Sequence, residues 1–140
     1  MNGAHHTAGP DCPLCLFKLK QAHPYLGQWF LALKRKYVNV HVSWSFRNQE
    51  EQTQCFKDGK TKLQWPFSPH NNMKDGVPYS LALDLFQEDE DGVARWSQPF
   101  FTKVNAENVA AGEPLLWGGE FKSLGDLDHF QFNGKIIQKS

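Results

Sequence analysis

The sequence predicts a small single-domain protein of the α+β class, with an antiparallel sheet and flanking helices. A chain of 140 residues is long enough to bury one hydrophobic core. Helix-like and strand-like patterns follow one another without a regular strand–helix alternation, which is typical of α+β folds. The content of apolar residues (40%) and aromatic residues (14%) indicates a folded chain rather than a disordered one.

Composition and charge argue against several partner classes. Lys plus Arg and Asp plus Glu number 15 each, so the net charge is zero, and we expect no nucleic-acid partner. No stretch approaches the roughly 18 apolar residues of a membrane span, so we expect no membrane insertion. Residues 1–10 lack the pattern of a signal peptide, which predicts synthesis in the cytoplasm. Three cysteines, an odd number, make a disulfide framework unexpected. We also expect a monomer.

Residues 1–22 are predicted to form a leader ahead of the domain proper, which we assign to residues 23–140. The leader is loop-like at first and contains a Cys-x-x-Cys turn at Cys12 and Cys15. Together with His5 and His6, these cysteines offer a ligand set for a structural zinc. The alternative is a flexible segment with two reduced thiols, which is favoured because a second, distant ligand pair is missing.

The first elements of the domain follow from periodicity. Residues 23–37 predict a helix, because apolar residues recur at spacings of three and four. Residues 38–44 alternate as a half-buried strand does. His41 falls on its polar side, so we expect it to face solvent or to be hydrogen-bonded rather than to bind a metal. A short helix should begin at Asn48, with Glu51 at the capping-box position.

The rest of the domain alternates between loops and short elements. Cys55 is interpreted as a small buried residue of the short helix, since no base is paired with it in the sequence. Residues 60–79 predict a long loop, and loops of this length are usually functional. The remaining predicted elements are a strand at residues 80–86, an acidic hairpin tip at 88–92, a second amphipathic helix at 96–110 and a last strand at 130–132.

Residues 117–131 carry the chemistry that the chain is organised around. Asp126 stands three residues before His129. Histidine is the commonest ligand of a catalytic zinc, and a nearby carboxylate that is not a ligand can accept a proton from water. Alone, this pair is equally typical of a turn with a surface Asp and a partly buried His. Upstream, however, His70 and Asp84 complete two histidines and one carboxylate, the ligand count of a catalytic zinc site with one position open.

In this order, the motifs resemble the family of zinc D-alanyl-D-alanine carboxypeptidases and L-alanyl-D-glutamate endopeptidases, which includes phage endolysins. The resemblance covers roughly residues 24–133 and implies the small fold that this family shares with the hedgehog signalling domain. The motifs that carry it are Ser45-Phe46-Arg47 with Glu51-Gln52, Ser68-Pro69-His70-Asn71, Ala82-Leu83-Asp84-Leu85, and Trp117-Gly118-Gly119 through Asp126-Leu127-Asp128-His129-Phe130.

The resemblance implies a role for each site residue. Zn²⁺ would be held by three ligands, and the substrate would be a peptidoglycan stem peptide cut at the bacterial cell wall by a phage-type lysin. The implied roles are zinc ligand for His70, Asp84 and His129, catalytic carboxylate for Asp126, oxyanion stabilisation and substrate contact for Arg47, and substrate contact for Ser68.

Two positions depart from the family pattern. Asp84 stands fourteen positions after His70, more than the family's usual spacing, so a longer loop is expected at the site. Gln131 stands where the family often has an acid that orients the last histidine, and its amide oxygen can still accept a hydrogen bond.

Other interpretations of the same residues stay open. The chain could be a non-catalytic zinc-binding module of this fold, or an adaptor organised by Cys12, Cys15 and the two N-terminal histidines. Arg47 could form a surface salt bridge with Glu50 or Glu51. The sequence also leaves open which wall bond is cut, by a carboxypeptidase or an endopeptidase, and whether the protein is free or part of a particle.

Overall fold

The computed structural model describes residues 12–112, 114–120 and 127–133. Within these ranges the α-helices are Pro13–Leu19 (α1), Pro24–Lys36 (α2), Gln49–Lys57 (α3) and Gln98–Ala110 (α4). The strands are Val40–Trp44 (β1), Met73–Lys74 (β2), Val77–Pro78 (β3), Ala82–Glu88 (β4), Ala94–Arg95 (β5), Leu115–Trp117 (β6) and His129–Phe132 (β7). Short 3-10 helices lie at Pro69–Asn71 and Gly118–Glu120. None of the helices in these ranges is long and apolar enough to cross a membrane.

The sheet is antiparallel and has five strands. Its order is β1-β4-β7-β6, and β5 pairs with the end of β4. The two short strands β2 and β3 form a separate hairpin. The predicted α+β class, with an antiparallel sheet and flanking helices, is therefore confirmed.

Strand alternation separates the core from the functional face. Leu83 and Leu85 of β4 and Phe130 and Phe132 of β7 lie in the hydrophobic core. Because successive side chains of a strand point to opposite faces, the residues between them share the other face of the sheet. That face carries Asp84 of β4 and His129 and Gln131 of β7.

Two predicted helix starts are confirmed in detail. His23 caps α2, where its Nδ1 accepts a hydrogen bond of 3.0 Å from the backbone N–H of Tyr25. Asn48 and Glu51 form the predicted capping box of α3, with reciprocal hydrogen bonds of 2.8 and 2.9 Å. Cys55 is buried in α3, as predicted.

The segment before residue 23 contains an element that the sequence did not reveal. Residues 13–19 form α1, which begins with Pro13 directly after Cys12 at the N-cap. Cys12, Cys15 and Leu19 are buried in the same core as the sheet. The boundary between a leader (1–22) and the domain (23–140) stays a prediction, and His5 and His6 lie outside the described residues.

The sequence predicts that Trp96 and Val109 belong to the apolar set of the helix at 96–110, and this prediction is wrong at both positions. Trp96 and Val109 are 54% and 52% exposed, whereas Asn108 is fully buried. The Asn108 side chain donates to the carbonyl of Leu115 (2.8 Å) and accepts from its N–H (3.1 Å). The helix therefore docks on the start of β6 through an amide pair, which an apolar pattern does not predict.

Two further expectations need correction. The loop at residues 60–79 contains the Pro69–Asn71 3-10 helix and the β2–β3 hairpin, whose turn residues Asp75 and Gly76 both have positive φ. An Asp-Gly pair is the common sequence of such a turn and was the available signal. His41 is buried rather than solvent-facing, although it is hydrogen-bonded, with its Nε2 3.0 Å from Oε1 of Glu88.

Candidate active site

Three predicted site residues meet on the polar face of the sheet. Asp84 in β4 lies directly opposite His129 in β7, so strand register alone brings them together. His70 reaches the pair from the Pro69–Asn71 3-10 helix. Oδ1 of Asp84 lies 2.9 Å from Nδ1 of His129 and 3.2 Å from Nε2 of His70, and these two nitrogens are 3.3 Å apart.

Local capping fixes the position of His70. The Ser68 hydroxyl accepts from the His70 N–H at 3.1 Å, and the Asn71 side chain accepts from the Ser68 N–H at 3.1 Å. The His70 carbonyl accepts from the Arg47 N–H at 3.0 Å, which ties the turn to the segment after β1. Ser68 thus holds the turn that presents His70, and its predicted contact with substrate stays a prediction.

In His70 and His129, the ring nitrogen that points away from Asp84, here called the outer nitrogen, faces a hydrogen-bond acceptor. Nδ1 of His70 lies 2.7 Å from the Ser45 carbonyl oxygen, and Nε2 of His129 lies 2.8 Å from Oε1 of Gln131. These acceptors favour the tautomer with the proton on each outer nitrogen, in which each inner nitrogen directs a lone pair at Asp84. Gln131 occupies the orienting position expected from the sequence.

In this tautomer, three acceptor atoms converge on one point. The two inner nitrogens and the Asp84 carboxylate oxygen lie within 3.3 Å of one another. Converging lone pairs repel unless a proton or a cation lies between them. The edges of a tetrahedron built on zinc–nitrogen and zinc–oxygen bonds are about 3.3 Å. The donor set and its spacing therefore fit a divalent metal ion such as Zn²⁺.

The electrostatics favour deprotonated ligands. Burial by itself raises the pKa of Asp84, but in the absence of a metal the protonated forms of His70 and His129 outweigh it through charge and hydrogen bonds and hold that pKa well below its usual range. Burial lowers the pKa of His70, although the Asp84 carboxylate opposes this. An ionised carboxylate and a neutral imidazole are the forms that bind metals.

Arg47 is part of the site rather than of the surface. It is 7% exposed, and its Nη2 donates to Oδ2 of Asp84 at 2.9 Å. Its Nη1 donates to Oε1 of Gln52 at 3.2 Å, and its guanidinium lies 5.0 Å from the Trp44 ring centroid. The observed ion pair is thus with Asp84 and not with the glutamates at the start of α3, and it turns Oδ1 of Asp84 toward the histidines.

Gln52 belongs to a motif that carries the family resemblance, but the sequence assigned it no role, and in the structure it supports the site. It is fully buried, its oxygen also accepts from the Asn71 side chain at 3.1 Å, and its nitrogen donates to the Leu63 carbonyl at 2.7 Å. Gln52 therefore connects α3, the His70 turn and the loop beside the site. In a charged helix such as α3, a buried glutamine cannot be told from a solvent-facing one by its sequence pattern, so periodicity did not predict the burial of Gln52.

A cavity of about 590 Å³ opens beside these residues. Arg47, Ser68, His70, Asp84 and His129 all line it. Other lining residues are Trp44, Lys60, Lys62, Trp96 and Asp128. Asp126, the predicted catalytic carboxylate, lies outside the described residues, so its role stays a prediction.

The Trp117-Gly118-Gly119 motif positions the chain ahead of His129. The Trp117 ring stacks near Phe130 at 6.4 Å, and its Nε1 donates to the Leu127 carbonyl at 2.8 Å. A Cβ on Gly119 would lie 2.3 Å from the Trp117 ring, so no side chain fits there. Glycine is therefore required at position 119, because the Trp117 ring lies too close to the backbone there for any side chain.

Comparisons with known proteins agree with this fold. No protein-family model matches the chain. In sequence it is similar to the peptidoglycan L-alanyl-D-glutamate endopeptidase CwlK of Bacillus subtilis (strain 168), with 26% identity over 120 residues that cover 78% of this chain and 72% of CwlK. In structure it is similar to the L-Ala D-Glu endopeptidase ChiX of Serratia marcescens, with a TM-score of 0.67 and 22% identity, covering 88% of this chain and 89% of ChiX. The resemblance to the zinc carboxypeptidase and endopeptidase family, drawn above from ordered motifs, is confirmed.

Proposed function

We propose that this chain is a zinc-dependent endopeptidase that hydrolyses the L-alanyl-D-glutamate bond of peptidoglycan stem peptides. The observation that carries the proposal is the convergence of His70 Nε2, Asp84 Oδ1 and His129 Nδ1, whose atom types and spacing fit a divalent cation at their centre. The likeness to CwlK and ChiX supports the substrate and the bond, because both are named for this activity.

In this proposal His70, Asp84 and His129 hold the zinc ion. When bound, Zn²⁺ polarises a carbonyl and makes water a stronger nucleophile at neutral pH. Asp126 accepts the proton of the attacking water and passes it to the leaving amine. Arg47 holds Asp84 in place, and its predicted second role is to stabilise negative charge on the scissile carbonyl oxygen.

The cavity suits an anionic peptide. Lys60 and Lys62 are exposed side chains at its lining, and Arg47 lies at its floor beside Asp84. A stem peptide that contains D-glutamate carries carboxylates that these cations attract. The two tryptophans at the cavity, Trp44 and Trp96, offer flat apolar surfaces for the peptide backbone and the alanine methyl groups.

The test is mass spectrometry of purified muropeptides after incubation with the protein. With zinc supplied, we expect products separated between L-alanine and D-glutamate, and no products after chelation. His129→Ala should abolish them, while His23→Asn, a histidine substitution outside the site, should leave them. Loss of only a terminal D-alanine would identify a carboxypeptidase, and intact peptides with a zinc-loaded protein would identify a non-catalytic module. The expected phage-type lysis and the monomeric state stay predictions.

A further inference from the structure

We propose that Cys12, Cys15 and His41 supply three ligands of a second metal site, which takes a thiophilic divalent ion such as Zn²⁺. These residues come from the N-cap and first turn of α1 and from β1. None of these residues belongs to the active site, and the proposed peptidase activity uses none of them. The sequence had paired the two cysteines with His5 and His6 instead of with His41.

The distances match a metal-binding set. The Nδ1 atom of His41 lies 3.9 Å from Sγ of Cys12 and 3.6 Å from Sγ of Cys15. All three ligand atoms lie within 4.8 Å of one another. In a tetrahedron with zinc–sulfur bonds of about 2.3 Å and zinc–nitrogen bonds of about 2.0 Å, a sulfur–nitrogen edge is about 3.5 Å. A metal ion therefore fits between these atoms with little movement.

His41 is oriented as a ligand would be. Its Nε2 lies 3.0 Å from Oε1 of Glu88, so Nε2 carries the proton and Nδ1 points its lone pair at the sulfurs. A carboxylate that accepts from the outer nitrogen of a histidine is the usual second partner of a metal-binding imidazole. The backbone N–H of Cys15 also lies 3.4 Å from Sγ of Cys12, which is a donor placed for a thiolate.

The surrounding charges fit two thiolates. Lys34 is fully buried, and its Nζ donates to the carbonyls of Val38 (2.9 Å) and Val40 (2.7 Å) and lies 3.4 Å from Nδ1 of His41. Burying an ammonium without an anion nearby is costly. Two thiolates and a divalent ion together carry no net charge, and the nearby Glu88 carboxylate balances the charge of Lys34, so the whole cluster is neutral.

A redox or nucleophilic role fits the same cysteines less well. Reactive thiols are partly exposed and have lowered pKa values. Cys12 and Cys15 are 0% and 1% exposed, and burial raises the pKa of the Cys15 thiol to about 12. Binding of a divalent metal ion would replace one proton on each sulfur.

Such a site would fasten the N-terminal helix to the sheet. α1 already contacts β1 through Lys18, whose Nζ donates to the Val42 and Ser43 carbonyls at 3.3 and 2.8 Å, and through Ser45, whose hydroxyl donates to the Lys18 carbonyl at 2.6 Å. β1 in turn pairs with β4, the strand of Asp84. The metal would cross-link an element that is too short to be stable alone.

Cobalt substitution tests the proposal, because only this site contains sulfur. The Co²⁺-loaded protein should show a near-ultraviolet sulfur-to-cobalt charge-transfer band. The band should disappear in Cys15→Ser and weaken strongly in His41→Ala. It should persist in Cys55→Ser, the matched cysteine control, and in His129→Ala, which removes the active-site ligand. A cobalt-loaded protein without the band, or an unchanged band in Cys15→Ser, would overturn the proposal.

A second measurement leaves both cysteines in place, in case Cys15→Ser does not fold. X-ray absorption at the zinc edge of His129→Ala should show sulfur neighbours, whereas nitrogen and oxygen neighbours alone would contradict the site. Zinc content should fall from about two to about one per chain in His129→Ala. If the peptidase proposal fails instead, muropeptides stay intact while the sulfur signal remains, so the two failures are distinguishable.

Discussion

Gln131 should control how tightly the active-site metal is held, although it is not a ligand. Its Oε1 accepts the hydrogen bond of His129 Nε2 at 2.8 Å and so fixes the ring that presents Nδ1. Gln131→Met keeps the length of the side chain and removes the acceptor. His129 then loses both its orientation and part of its basicity as a ligand.

The size of the effect follows from this one hydrogen bond. Losing an outer partner of a metal-binding histidine typically weakens metal affinity by about 10- to 100-fold, which corresponds to about 1.4–2.7 kcal/mol. Gln131→Glu should have the opposite sign, because a carboxylate is a stronger acceptor than an amide and a charge-assisted hydrogen bond is about twice as strong.

Competition with a chromogenic chelator measures both effects. The titration is best made in a Cys15→Ser background, so that the proposed sulfur site does not compete for zinc. Gln54→Met is the control, because Gln54 is an exposed residue of α3 that bonds only to Asp58. Equal zinc affinity in Gln131→Met and its parent would refute the role assigned to Gln131.

Three further predictions concern catalysis, pH and packing. Asp126→Ala should keep the metal and lower kcat by ~10²–10⁴-fold, whereas Asp128→Ala should keep most turnover; the reverse result in steady-state kinetics would assign the proton transfer to Asp128. Burial lowers the pKa of His23, the cap of α2, so its contribution to stability is complete above ~6.5 and is lost as pH falls below that value. His23→Asn keeps a cap and should flatten that part of the denaturation profile, and an unchanged acid-side slope would contradict this. Gly119→Ala should destabilise the fold by about 1–3 kcal/mol. Gly27→Ala is the control, because its Cβ would be 3.9 Å from its nearest neighbour, and it should be neutral or stabilising in thermal melts. Similar melting temperatures for the two variants would contradict the packing argument.

Local signals in the sequence were sufficient for several elements and for the candidate ligands. The apolar period of α2 and the capping box of α3 are short-range patterns, and both elements form as predicted. His70, Asp84 and His129 were selected by motif order, and the structure brings them within hydrogen-bonding distance. Strand pairing explains this for Asp84 and His129, because they are register partners.

Features that depend on contacts between residues far apart in the chain gave no local signal in the sequence. Cys15 and His41 are far apart in the chain and meet only because α1 packs against β1. Asn108 is buried because it pairs with the backbone at Leu115, and nothing in the periodicity of α4 indicates that partner. α1 itself has seven residues, too few for a clear apolar repeat.

Anomalous diffraction at the zinc edge tests the central claim most directly. Crystals of the zinc-loaded protein should show an anomalous peak within bonding distance of His70 Nε2, Asp84 Oδ1 and His129 Nδ1, with a position left open toward the cavity. Absence of zinc between these atoms, while zinc is bound elsewhere on the chain, would contradict the account of this site.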